Sequence, residues 1–391
     1  MRAGIACLVF SYVLSQFYRA FLAVLTPVLE TDLGATKAQL ASASGAWFLA
    51  FAAMQLPVGV ALDRFGPRLT ASACLMVGAA GAAIFASAGS PQMLILAMAL
   101  IGVGCSPVLM ASYYIFAREF SAAAFATLAA ATIGIGSLGN IAASLPLTAA
   151  AEAFGWRETV WALAGLTAAI GVAVGLWVRD PVRVPLGQGG SVLSLLANPA
   201  LWPILAMMFV CYAPAAGLRG LWLGPYFGDV WHYSRPEIGQ AGLWMGLAMV
   251  AGSFAYGPLD RWFGTLKWVI FPGNLLMFLC LLGLALWPAQ SDLLSLGFLI
   301  GVGFFGSTFP LVIAHARAFF PNHLVGRGVT LVNLFGIAST GLLQEVSGRI
   351  HATTAASAAD PAAPFRAVFL FIALAVALGL GAYLMSQDRR G

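Results

Sequence analysis

Twelve runs of about twenty mostly apolar residues follow one another along this chain, and no other feature constrains its fold as much. They cover approximately 5–29, 40–62, 69–89, 92–116, 123–148 and 158–178, then 201–226, 238–258, 268–288, 293–316, 326–347 and 366–386. A helix of that length crosses a hydrocarbon layer about 30 Å thick. The first run is expected to stay as a helix rather than be cleaved as a leader, because it is too long and Arg19 interrupts it. Only 8% of the residues are charged, against roughly 25% in a soluble domain, which excludes a soluble globular enzyme. The 27 Phe, 11 Trp and 9 Tyr exclude a disordered chain. Cys7, Cys74, Cys105, Cys211 and Cys280 sit in apolar runs without CxxC spacing and read as small buried hydrophobes, with no disulfide expected. The expected fold class is therefore an all-α membrane protein of twelve transmembrane helices.

The charges that remain orient the spans. With the N-terminus inside, twelve basic residues fall on the inner side, among them Arg2, Arg64, Arg68, Arg118, Lys267 and Arg317. Five fall outside: Lys37, Arg157, Arg235, Arg349 and Arg366. The positive-inside rule then predicts both termini in the cytoplasm of a multi-pass protein of the bacterial inner membrane. The same placement accounts for the net charge of +5 without a nucleic-acid partner, since no basic stripe with interleaved aromatics is present. The expected partners are the lipid bilayer and a small-molecule substrate. Residues 179–200 carry Pro, Gly and charge and read as a cytoplasmic linker between two six-helix halves, 1–178 and 201–391.

The halves repeat. Gly59, Asp63, Arg64 and Gly66 at the end of the second run are echoed by Gly257, Asp260, Arg261 and Gly264 at the end of the eighth. Trp47 lies 16 residues before Asp63, as Trp244 lies 16 before Asp260. Gly102 precedes Arg118 by 16 residues, as Gly301 precedes Arg317. Arg19 in the first run is matched by Arg219 in the seventh. A duplicated six-helix unit, giving two pseudo-symmetric bundles, is the simplest account.

At Gly59, Leu62, Asp63, Arg64, Gly66 and Arg68 the chain resembles the major facilitator superfamily, whose loop signature reads G-x-x-x-D-R-x-G-x-R. The second copy, ending in Lys267, strengthens the resemblance, which covers the whole chain. It implies the fold of that family, a secondary transporter working by alternating access, and a monomer. Asp63 flanked by Arg64 and Arg68 suits a conformational latch that pairs with a neighbouring helix end, with Gly59 and Gly66 allowing close approach and a tight turn; Asp260 and Arg261 form its second copy. The alternative is a solvated loop whose charges set topology. The chain departs from the family in lacking an Arg before Gly102 and a Gly-Pro pair in the fifth run. Residues 14–28 are similar to a branch that holds CcoA-like copper importers and riboflavin importers.

Polar groups far from the helix ends are the candidate site. Arg19 lies 11 residues before Glu30 and Arg219 lies 10 before Asp229, depths of about 15–16 Å at the helical rise. An intramembrane Arg costs at least about 2.5 kcal/mol and needs a partner, water or substrate. Two at matched positions suit an anion clamp, because guanidinium offers forked donors to carboxylate or phosphate. The resemblance implies the same, since members that move organic anions use an Arg pair in these helices. Binding of each Arg to backbone carbonyls is the alternative. Tyr18, Trp47, Tyr113, Trp222 and Trp244 are candidates for stacking on a flat substrate, against a plain packing or interfacial role. Asn140 and Asn333 are further polar candidates. Glu345 and His315 are the candidate coupling groups, with pairing to Arg349 the alternative for Glu345. Met245 and Met249, four apart, with Met277, would suit copper(I), but the His-x3-Met pair of the copper branch is missing, and core packing is the alternative. No catalytic set or nucleotide-binding loop is present, so neither an enzyme, nor a resident cofactor, nor an ATP-driven pump is expected; a non-transporting sensor or a channel is the further alternative, against which the repeat and the latch motifs favour alternating access.

Overall fold

The computed structural model describes residues 2–120, 122–181, 193–257, 259–320 and 325–388, and every regular element among them is a helix. Among the described residues, nine helices are long and apolar enough to cross a membrane singly: Pro67–Ala86, Pro91–Phe116, Trp156–Trp177, Pro199–Trp231, Arg235–Tyr256, Lys267–Leu286, Asp292–Arg317, Gly328–Ala355 and Ala363–Leu384. Three more spans are bent pairs, which brings the total to twelve: Ala3–Tyr18 with Phe21–Leu33, Lys37–Ala53 with Gln55–Phe65, and Ala131–Ala142 with Leu145–Phe154, bent by 47°, 43° and 43°. Numbered in chain order, the bent pairs are spans one, two and five.

Two of the bends have a backbone cause. Pro57 has no N–H to give the carbonyl of Ala53, where Lys37–Ala53 ends, and Pro146 has none for Ala142, where the preceding helix ends. The first bend, at Arg19 and Ala20, has no proline at its break; there the helix closes with a tighter bond from Ala20 N–H to the Phe17 carbonyl at 3.0 Å. Starts are set locally. Thr36 and Gln39 form a reciprocal capping box before span two, and Glu237 reaches back to the Ser234 N–H at 2.7 Å before span eight.

The chain divides into two compact units, Met1–Pro185 with Ser234–Leu243 and Leu186–Tyr233 with Trp244–Gly391. The first is built on Leu8, Tyr12, Val58, Leu62, Leu75, Val108, Ile115 and Val174. Gly136 and Gly139 of span five lie against Tyr12 and Val13 of span one, where small residues let the two helices pack closely. Arg157 donates to the carbonyls of Ala86 and Ala88 at 2.9 and 2.8 Å, closing the end of span three. The second unit is centred on Trp222, Tyr226, Phe227, Phe365 and Phe369, all fully buried. Tyr226 stacks edge-on to Phe369 at 5.0 Å and shares a 2.8 Å hydrogen bond with Ser295.

The signature turn after span two is anchored within the first unit. Gly66 has φ of +86°, and the Asp180 carboxylate occupies the place a Cβ would take. The Arg68 N–H donates to Asp180 Oδ1 at 2.8 Å, and Arg68 Nε donates to the Gly175 carbonyl at 2.5 Å. The pairing with a neighbouring helix end is therefore made by Arg68, while Asp63 is half-buried and exposed Arg64 rests on Phe65. Gly59 corrects the expectation of close approach: among the described residues nothing lies within 4 Å of where its Cβ would be. Asp260 and Arg261 lie outside the residues whose side chains are described.

Gly66→Ala should therefore cost about 1–3 kcal/mol, because a non-glycine residue is strained at positive φ and Asp180 must also move. Gly59→Ala should stay within about 0.5 kcal/mol. The apparent Tm of the purified protein checks the pair: a clear fall for the first and none for the second.

Candidate functional site

Each half places its matched arginine at an interruption of regular helix. In the first unit Arg19 occupies the bend between Arg2–Tyr18 and Phe21–Leu33. Its guanidinium lies 5.2 Å from the ring centroids of both Trp47 and Phe51. Those two rings are stacked at 5.1 Å and 22°, one turn apart on span two. A cation held against such a wall gains about 0.5–2 kcal/mol. Tyr18, adjacent in sequence, points elsewhere: it is 1% exposed and hydrogen-bonds Thr167 at 3.0 Å.

In the second unit Arg219 lies in the widened turn Leu218–Trp222 and is 4% exposed. Single π-turns of this kind interrupt the ordinary ladder and are often found at functional sites. A Cβ on Gly246 of span eight would stand 3.0 Å from Arg219 Nη2 and 3.2 Å from Nε, so the guanidinium rests on a backbone that only glycine leaves open. Trp222, three residues on, is turned into the packing. Its Nε1–H donates to Ser347 at 2.9 Å, and its ring stacks on His351 at 5.0 Å.

The other candidates are scattered. Trp47 is fully buried, whereas its repeat mate Trp244 is 49% exposed. Tyr113, Asn140 and Asn333 are half-buried on spans four, five and eleven. Glu345 pairs with Arg349 at 2.9 Å, four residues along the same helix. His315 is fully buried and bonded through both ring nitrogens. Buried Met245 and half-buried Met249 pack against Gly303 of span ten, and buried Met277 lies against Gly306. Among the described residues no group of three or more His, Cys, Asp or Glu could hold a metal ion.

The sequence reading missed Phe51 and Gly246. Phe51 follows Trp47 by four residues, a helical neighbour spacing that was open to view. Gly246 carried no such signal, since its role depends on a contact with another span.

Residues 8–343 match the profile of the Major Facilitator Superfamily. No curated protein matches by sequence. Similar solved structures include a bacterial homologue of the human lysosomal transporter Spinster, inward-facing and occupied, at 15% identity and TM-score 0.78 over 97% of this chain and 95% of that one. A D-xylose–proton symporter is similar at 12% identity and TM-score 0.79, over 99% and 98%. The nucleoside transporter NupG is similar at 15% identity and TM-score 0.74, over 98% of both chains. At these identities the likeness is one of fold.

Gly246→Ala should destabilise the protein by about 1–3 kcal/mol through overpacking against the buried guanidinium. A double-mutant cycle checks the cause. The penalty should vanish in an Arg219→Ala background; an equal penalty in both would show that Arg219 is not what Gly246 accommodates.

Proposed function

The chain belongs to the Major Facilitator Superfamily, and from that premise we propose that it moves a small organic anion or an aromatic micronutrient such as riboflavin across the bacterial inner membrane by alternating access. It is a multi-pass membrane protein of a transporter family. The observation that carries the substrate reading is the repeat-related pair Arg19 and Arg219, each at a helix interruption inside its own unit. Irregular backbone at membrane depth is tolerated where it is buried in protein or lines a cavity, and transporters of this kind bind at such breaks. In this reading Trp47 and Phe51 orient Arg19, and the guanidinium edges recognise carboxylate or phosphate. The protein works as a monomer with both termini in the cytoplasm.

Copper import through Met245 and Met249 is the competing reading. The packing of both side chains against Gly303 favours a structural role for them.

The test is the thermal stability of detergent-purified protein with organic and phosphorylated anions, riboflavin, and chelator-buffered Cu(I). A ligand at a hundred times its Kd stabilises by about 2.7 kcal/mol. A shift with an anion or riboflavin, lost in Arg19→Ala and in Arg219→Ala, is expected. A shift with Cu(I) alone, lost in Met249→Ala, would overturn the reading.

A further inference from the structure

The last helix, Ala363–Leu384, runs into a segment that is tied down at every turn. Lys267 Nζ donates to the carbonyls of Leu384 and Ser386, both at 2.7 Å, capping the helix end. Asp388 accepts from Thr265 Oγ1 at 2.5 Å and from the Lys267 N–H at 3.2 Å. The turn so anchored contains Gly264 at φ +67° and follows the second copy of the signature. This is the counterpart of Asp180 holding Arg68 in the first unit: Arg68 and Lys267 stand 199 residues apart, as Gly102 and Gly301 do.

The second copy adds an imidazole. His315 Nε2 lies 2.8 Å from the Gln387 carbonyl, and Nδ1 lies 2.7 Å from Tyr383 Oη. A carbonyl only accepts, so Nε2 carries the hydrogen, and in the neutral ring Nδ1 accepts from the Tyr383 hydroxyl. At the same 199-residue offset the first unit has Phe116, equally buried but without a proton to gain or lose.

We propose that His315 is a proton-binding positioning residue, which tightens the hold of the tail 385–388 on the turn 264–267 when its ring is charged and loosens it when the ring is neutral. A proton on Nδ1 is accommodated because the Tyr383 hydroxyl can turn and accept. Burial opposes a charge on His315, and so does Lys267; what the docked tail itself adds is the two contributions that favour the charge, a stronger bond to the Gln387 carbonyl and the attraction of Asp388. The groups that face it are Tyr383 of span twelve, Asp388 of the tail and Lys267 at the start of span nine, with Cys211 of span seven beside Tyr383; Arg317, two residues along its own helix, is exposed. Burial raises the Asp388 carboxyl, but the hydrogen bonds from Thr265, Lys267 and Leu266 and the charge of His315 outweigh it and hold Asp388 below the ordinary range. A depressed carboxyl contributes above its unfolded value and is lost as pH falls through its folded one. The tail is therefore held most firmly in a window bounded below by protonation of Asp388 and above by deprotonation of His315.

The inference rests on the transporter reading but on no particular substrate, and its test uses none. Hydrogen exchange of the tail and of turn 264–267 is followed in the full chain across about pH 5.5–8.5, where histidine titrates, after correction for intrinsic exchange. Protection of both segments should fall together as pH rises, by at most about tenfold per pH unit for one linked proton. His315→Gln keeps an N–H for Gln387 but cannot titrate, and should flatten the pH dependence. Should that variant fail to fold, Asp388→Asn decides: removing the carboxylate must move the midpoint of tail opening to lower pH. A pH dependence that survives His315→Gln, an unmoved midpoint in Asp388→Asn, or a tail that opens while the turn stays protected would each overturn the proposal.

Discussion

Lipid offers the backbone no partner, so each span must bond to itself, and every departure from the helical ladder at depth has to be accommodated by its surroundings. The rest of this structure depends on that constraint. It turns the apolar runs into spans, and it makes the few irregular turns conspicuous. Two of the bends follow from prolines. The break at Arg19 does not, whereas Pro225 has no N–H for the Leu221 carbonyl inside the wide turn at Arg219; both interruptions hold a guanidinium. The two arginines are accommodated by different means. One lies on the stacked rings of Trp47 and Phe51; the other lies on bare backbone at Gly246.

The two halves thus solve the same problem differently at matched positions. The anchoring of the signature turns shows it again. Asp180 and Asp388 play the same part after the sixth and twelfth spans, each accepting from the backbone N–H of a repeat-related basic residue. Arg68 reaches the end of one helix with Nε, and Lys267 reaches the other with Nζ. In the second copy the ionisable ring of His315 bonds the anchored tail, whereas the position 199 residues earlier is Phe116.

Much of this was legible in the sequence, for physical reasons. Apolar length alone located all twelve spans, and charge and glycine spacing exposed the repeat. The bends of spans two and five were encoded by Pro57 and Pro146, while the break at Arg19 has no local residue to announce it. Nearness in sequence did not settle where Tyr18 and Trp222 point: a helix turns Tyr18 about 100° from Arg19, the wide turn breaks the regular spacing between Arg219 and Trp222, and both rings hydrogen-bond within their own units. Gly59 matched the signature but meets open space, so the match reported ancestry and not a contact. Gly246 and Asp180 were silent, because their roles exist only where distant segments meet.

The most direct test of the central claim is counterflow in proteoliposomes, with a labelled organic anion outside and the same anion unlabelled inside. The account predicts saturable uptake that is accelerated by the internal anion, and its loss in both Arg19→Ala and Arg219→Ala while the folded protein is retained. Saturable counterflow that persists unchanged in both variants would contradict it.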